Sequence, residues 1–183
     1  MKYRIIFSLV LVVFMHTIQA QNYFTKNGQI SFFSKSPLEN ITAANNQVVS
    51  VLNSATGDIK FSAIIKGFQF KKALMQEHFN ENYMESEKYP KASFSGIITD
   101  ISKVDFSKNG DYRVTVTGDL TIHGITKKIT APATIAVNAG KLNSNAVFNV
   151  LLADYNIHVP KVVENNISKT IEVKVNCIYE PKS

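Results

Sequence analysis

The stretch Tyr112–Val137, YRVTVTGDLTIHGITKKITAPATIAV, decides the fold. Tyr112, Val114 and Val116 alternate with Arg113, Thr115 and Thr117, the period of two expected of a strand with one buried face. Leu120 and Ile122 carry the apolar set past Gly118. Beyond His123-Gly124 the alternation resumes in Ile125, Ile129, Ala131, Ala133, Ile135 and Val137, with one slip. Two such arms around a His-Gly step predict a long antiparallel hairpin, around which the rest of the chain must close.

Working outward, the downstream sequence predicts strands at Lys141–Ala153 and Lys169–Tyr179, with Asn138-Ala139-Gly140 as a tight connection. Tyr155–Ile167, with Pro160, reads as an irregular loop. Upstream, strands are expected at Gln29–Phe33, Gln47–Asn53, Ile59 to Phe70, Ala92–Ile101 and Asp111–Ile122. Ser36–Asn46 reads as a connection, and Ser107-Lys108-Asn109-Gly110 as a turn that accepts positive φ. Leu74, Met75, His78, Phe79, Asn82 and Tyr83 step by one, three and four, which predicts an amphipathic helix over Leu74–Met84. Pro90 closes that segment, because the residue before a proline disfavours helix. The fold class is therefore all-β and mainly antiparallel, an approximately eight-stranded, lipocalin-like barrel with one short helix capping an opening. A barrel of that size either fills with its own side chains or encloses one small ligand.

The N-terminus reads as an export signal. Met1-Lys2-Tyr3-Arg4 is a basic n-region, Ile5–Met15 is apolar, and Ala20 offers a small residue for cleavage before Gln21. The apolar run is short for a membrane span, which needs about 20 residues. Residues 1–20 are thus expected to be a signal peptide and 21–183 one domain, in the periplasm or secreted. Loss of Lys2 and Arg4 lowers the formal charge from +6 to +4. No long basic run or aromatic RNA-binding signature accompanies that charge, so nucleic acid is not an expected partner. A transient membrane contact is compatible with it. Cys177 is the only cysteine and lies on an apolar strand face, which points to a buried thiol rather than a nucleophile. Asn40-Ile41-Thr42 and Asn166-Ile167-Ser168 would be glycan acceptors only in a eukaryotic secretory pathway.

Gly118-Asp119-Leu120-Thr121-Ile122-His123-Gly124-Ile125-Thr126-Lys127 resembles the signature hairpin of the YceI-like polyisoprenoid-binding family. Glu87-Lys88-Tyr89-Pro90 followed by Ala92-Ser93-Phe94 is similar to the same family's passage from helix to strand. The resemblance implies an extended lipocalin-like barrel holding a long isoprenoid lipid in an apolar cavity, with no cofactor. Two departures stand out. Leu74-Met75-Gln76-Glu77-His78-Phe79 lacks the Arg-Asp pair that many members carry, and Leu152-Ala153-Asp154-Tyr155-Asn156 replaces an Arg and Asp-Phe-Gly. Recognition of a polar head group by those arginines is therefore not expected.

The chemistry-bearing residues argue against an enzyme. His78, His123 and His158 show no metal-ligand spacing, and His123 reads as a turn residue whose ring bonds local backbone. Glu77, Glu81 and Glu85 read as a solvated helix side, joined by Glu87, and no nucleophile elbow or phosphate-cradling loop is present. An enzyme reading would have to use His78, Glu77 or Asp154. The apolar residues carry more weight. Phe61, Ile65, Phe68, Phe70, Leu74, Met75, Phe79, Tyr83, Met84 and Phe94, with Val114, Val116 and Leu120 on the opposite wall, are the candidate lining of a lipid site. Lys66, Lys71, Lys72, Lys127 and Lys128 are candidates to meet a phosphate at its mouth. The expected function is non-catalytic carriage of a polyisoprenoid or isoprenoid quinone. The alternative is a structural or interaction protein with a self-filled barrel.

Overall fold

The computed structural model describes residues 21–181. The expected signal peptide lies outside them. The strands are β1 (Asn22–Lys35), β2 (Asn40–Asn53), β3 (Asp58–Ile64), β4 (Gln69–Phe70), β5 (Lys91–Ile98), β6 (Gly110–Ile122), β7 (Ile125–Asn138), β8 (Lys141–Leu151) and β9 (Thr170–Pro181). Eight of them form a closed antiparallel ring, β1-β2-β3-β5-β6-β7-β8-β9 and back to β1, while the two-residue β4 adds to β2. Closure leaves no free edge to aggregate.

The hairpin that opens the sequence argument is β6–β7. Its register pairs Tyr112 with Ile135, Val114 with Ala133, Val116 with Ala131 and Ile122 with Ile125. His123 (φ 49°) and Gly124 (φ 74°) form the two-residue turn, both in the left-handed region that a primed hairpin turn demands. Gly118 faces Gly96 of β5 across the sheet. A Cβ on Gly118 would lie 2.4 Å from the Gly96 Cα and 2.7 Å from the Phe94 ring. The phenyl ring covers this glycine pair and turns a weak point of the sheet into packed surface.

Three boundaries differ from the sequence reading. The strand expected at Gln29–Phe33 is the middle of a 14-residue β1, bent by register shifts between Thr25 and Ile30. Most of the expected connection Ser36–Asn46 belongs to β2, which begins at Asn40. Its polar letters disguise an alternation in which Ala43 and Asn45 point inward, and Asn45 Nδ2 donates to the Ile64 carbonyl at 2.9 Å. The strand expected from Ile59 to Phe70 stops at Ile64, where a 3-10 turn (Ile65–Gly67) breaks it before β4.

The expected helix is two pieces. The α-helix α1 (Ala73–His78) continues as a π-helical turn over Phe79–Tyr83. The wider turn exits through Glu85, itself at φ 43°. This excursion, the turn Ser36–Glu39, the hairpin tip and the segment Leu152–Lys169 all lie at one end of the barrel. The opposite end is filled by buried side chains. Tyr23, Leu52, Ile98, Val104, Leu142 and Tyr179 are buried there, and Tyr23 stacks on Phe106 at 5.9 Å. The Tyr179 hydroxyl and Ser50 Oγ share a hydrogen bond of 2.7 Å, which satisfies the polar atoms inside that floor.

Candidate functional site

Inward-facing side chains fill the barrel at its floor and leave it hollow above. A void of about 330 Å³ lies under the helical excursion. A second of about 100 Å³ abuts it on the floor side. Ile30, Ala63, Ala92, Leu120 and Phe148 line both, so the two form one apolar channel along the barrel axis. The combined space is within the range that accepts a drug-sized apolar molecule.

The candidate residues divide between the two ends of this channel. Phe61, Phe94, Val114 and Val116 line the deeper part, with Leu120 shared. Small side chains, Ala131, Ala133 and Ala146, keep that part open. Ile65, Phe68, Phe70, Met75, Phe79, Tyr83 and Met84 line the wider part. Leu74 does not join them. It is 61% exposed and lines neither part, because it occupies the outer side of a helix whose inner side presents Met75 and Phe79. Residues that the helix-centred reading passed over complete the walls: Phe32, Phe148, Val150, Ile171 and Val173. The alternation Ile30-x-Phe32-x-Ser34 is the signal for Phe32 in β1. Phe32 is the hub of an aromatic cluster, with ring centroids 5.6 Å from Phe68, 5.7 Å from Phe70 and 5.5 Å from Phe79.

Polar residues are few: Ser93, Ser144 and Asn145 in the deeper part, and Ser34, Glu39, His78 and Asn166 in the wider part. The candidate lysines do not converge on it. Lys66 pairs with Glu87 and Lys72 with Glu39 (2.7 Å), in exposed ion pairs. The Lys66 partner holds the Glu87 carboxyl below its usual range. Lys127 and Lys128 are exposed, and Lys71 lines a groove with Lys174 outside the channel. Glu77 and Asp154 are exposed and line neither part of the channel. Among the described residues no three His, Cys, Asp or Glu side chains gather to hold a metal ion.

His123 differs from its expected role. It does make the turn, but its ring is buried and bonds distant groups rather than local backbone. Nδ1 lies 3.1 Å from the Tyr155 carbonyl oxygen, which can only accept, so Nδ1 donates. Nε2 lies 2.7 Å from the Glu85 carboxylate. The Tyr89 ring meets the imidazole edge-on at 4.6 Å. A Cβ on Gly124 would come within 2.5 Å of that same ring. The hairpin tip, the exit of the π-helical turn and the Tyr155 segment are thereby pinned together. The two sequence passages that carry the family resemblance are in direct contact here.

Cys177 and Tyr179 lie outside the channel lining, in the floor. Burial pushes the Cys177 thiol up to about 11 and raises the Tyr179 phenol further, with the neighbouring Cys177 adding to the latter. The thiol is therefore un-ionised at neutral pH and a poor nucleophile.

The sequence profile of the YceI-like domain matches residues 11–178. The chain belongs to the YceI-like family. Solved structures show the family's barrel at low identity. A polyisoprenoid binding domain from Saccharophagus degradans aligns with a TM-score of 0.75 at 14% identity, over 90% of this chain and 100% of that one. Burkholderia cenocepacia BcnA gives 0.68 at 18% identity, over 83% and 95%. The Campylobacter jejuni YCEI protein gives 0.61 at 15% identity, over 81% and 89%. No curated protein matches the chain. At these identities the likeness is one of fold.

Proposed function

We propose that this protein binds and carries a lipid, a polyisoprenoid or isoprenoid quinone, in the apolar channel of its barrel, without catalysis, as an exported protein. The observation that carries this reading is the channel itself. It is lined mostly by aliphatic, aromatic and methionine side chains, and its charged or titratable lining residues are Glu39, His78 and Tyr83, all in the wider part. Burying a prenyl chain there stabilises the complex by about 0.8 kcal/mol per CH₂-sized group, so several prenyl units bind tightly with no charged anchor. That fits a chain lacking the family's arginines. The self-filled alternative expects no void beside Phe79 and Met84, and a void of about 330 Å³ lies there. Export rests on the basic and apolar N-terminal pattern of residues 1–20. Titration with isoprenoid quinones of graded tail length, followed by tyrosine fluorescence, tests the reading. Saturable binding that tightens with tail length is expected; no binding at any length overturns it.

A further inference from the structure

One imidazole joins three segments that enclose the wide end of the channel. His123 follows Ile122, Glu85 follows Met84, and Tyr155 lies between Leu152 and Ile157. Ile122, Met84, Leu152 and Ile157 all line the channel. His123 Nε2 lies 2.7 Å from Glu85 Oε2, and its Nδ1 lies 3.1 Å from the Tyr155 carbonyl oxygen. Both partners are acceptors, the carbonyl always and the carboxylate whenever it is ionised. A neutral imidazole has one N–H and can satisfy only one of them, whereas the imidazolium has two and satisfies both. The ring is buried, which leaves water little room to replace a missing donor.

The Glu85 side of this junction is a strap closed on itself. The Met84 N–H donates to the Phe79 carbonyl, Ser86 to Asn80, and both Lys88 and Tyr89 to Glu85. The strap contains the π turn, and Glu85 holds φ 43°, a left-handed conformation that glutamate adopts at a cost. Among the described residues, His123 is the one ion-pair partner of Glu85. The other charged or titratable groups on the meeting segments are differently engaged. Lys88 Nζ lies over the Tyr89 ring, 4.8 Å from its centroid, and Glu87 pairs with Lys66. Burial raises the Tyr155 phenol. Asp154 beside it, and Asp119, Lys127 and Lys128 on the hairpin arms, are exposed. Of these residue types, histidine is the one that ordinarily changes charge between pH 5 and 8.

We infer that His123 is a proton-operated latch on the cover of the channel. The imidazolium holds Glu85 and the Tyr155 carbonyl together and keeps residues 79–89 closed. As pH rises, Nε2 gives its proton to solvent while Nδ1 goes on donating to the carbonyl. Nε2 then turns a lone pair toward the carboxylate, and the strap is free to lift. Its use in lipid exchange rests on the carrier reading above.

Three measurements at about pH 5.5 and about pH 8 test the latch. Ring nitrogen NMR should show His123 with both nitrogens protonated at the lower pH and one at the higher. Hydrogen exchange of the Met84, Ser86, Lys88 and Tyr89 amides, corrected for its intrinsic pH dependence, should quicken about fivefold at the higher pH, the effect of one net hydrogen bond. Transfer of a quinone with a farnesyl tail from protein to phosphatidylcholine vesicles should quicken by a similar factor. Glu85→Gln keeps a hydrogen bond to the ring in either state, because its amide accepts from the imidazolium and donates to the neutral ring. It should remove the pH dependence and keep the strap protected at the higher pH. The same ring protonation at both pH values overturns the latch, as does unchanged strap protection in the native protein. Protection that follows pH equally in native and Glu85→Gln proteins also overturns it, even if the quinone binds. Transfer indifferent to pH while the strap loosens overturns its role as the cover. Protection that follows the imidazole, with no quinone taken up at either pH, leaves the latch standing and overturns the carrier reading. The native protein alone decides should Glu85→Gln fail to fold.

Discussion

Gly118, near the end of β6, and His123, in the turn that follows it, do different work, and substitutions separate them. Any side chain at Gly118 must displace Gly96 or the Phe94 ring, because its Cβ would fall within 3 Å of both. Gly118→Val should therefore lower stability by roughly 1–3 kcal/mol, read as a fall in the melting temperature. His123 holds Glu85 and the Tyr155 carbonyl at once. His123→Ala should release both, whereas Glu85→Gln keeps one hydrogen bond. In a double-mutant cycle the pair should show a coupling of about 1 kcal/mol, the Glu85 side chain being half exposed. Additive effects would mean that the imidazole–carboxylate contact contributes nothing.

At the scale of elements, the helical excursion and the strand walls should have separable effects on a ligand. Phe79 touches the Phe32, Phe68 and Phe70 rings and lines the wide part of the channel. Phe79→Arg should place a charge in that space and abolish quinone binding, with the strand signal in circular dichroism intact. Ala92 lies where the wide and deep parts meet. Ala92→Leu should narrow the passage and shift preference to shorter tails, seen as lost affinity for long quinones only. The strands were legible wherever a period of two ran through apolar letters, as in β6 and β7. They were illegible where the inward residues are small or polar, as in Asn40–Gln47, where Ala43 and Asn45 face inward without an apolar signature. The helix was legible in extent but not in type, since nothing in Phe79–Tyr83 announces a π turn. Leu74 was misplaced because helical spacing names a face without saying which way it turns.

For the whole molecule, the filled floor and hollow upper barrel give stability and binding to different residues. The floor makes a pH prediction. Burial holds the Cys177 proton to about pH 11 in the folded chain, against an ordinary value of 9.0, and Tyr179 shifts in the same direction. The folded state then binds more protons than the unfolded chain above about pH 9, so stability present below that pH is lost as pH rises toward 11. The thiol alone accounts for on the order of 2 kcal/mol. Melting temperatures measured from pH 7 to pH 11 should stay level and then fall, and Cys177→Ala should soften the fall. The channel was only partly legible from sequence. Its phenylalanines stand out as letters, but the alanines that leave it open, Ala63, Ala92, Ala131 and Ala133, read as ordinary core. His123's distant partners were likewise beyond any local reading, being 32 and 38 residues away.

The central claim is that the hollow part of the barrel holds an isoprenoid lipid. Native mass spectrometry of the protein purified from its own host without detergent, with lipid extraction from the same sample, addresses it most directly. The account predicts a bound species whose mass matches a polyprenyl or prenyl-quinone lipid, absent from Phe79→Arg prepared in parallel. A native protein that is reproducibly empty, and that takes up no prenyl lipid when offered one, would contradict it.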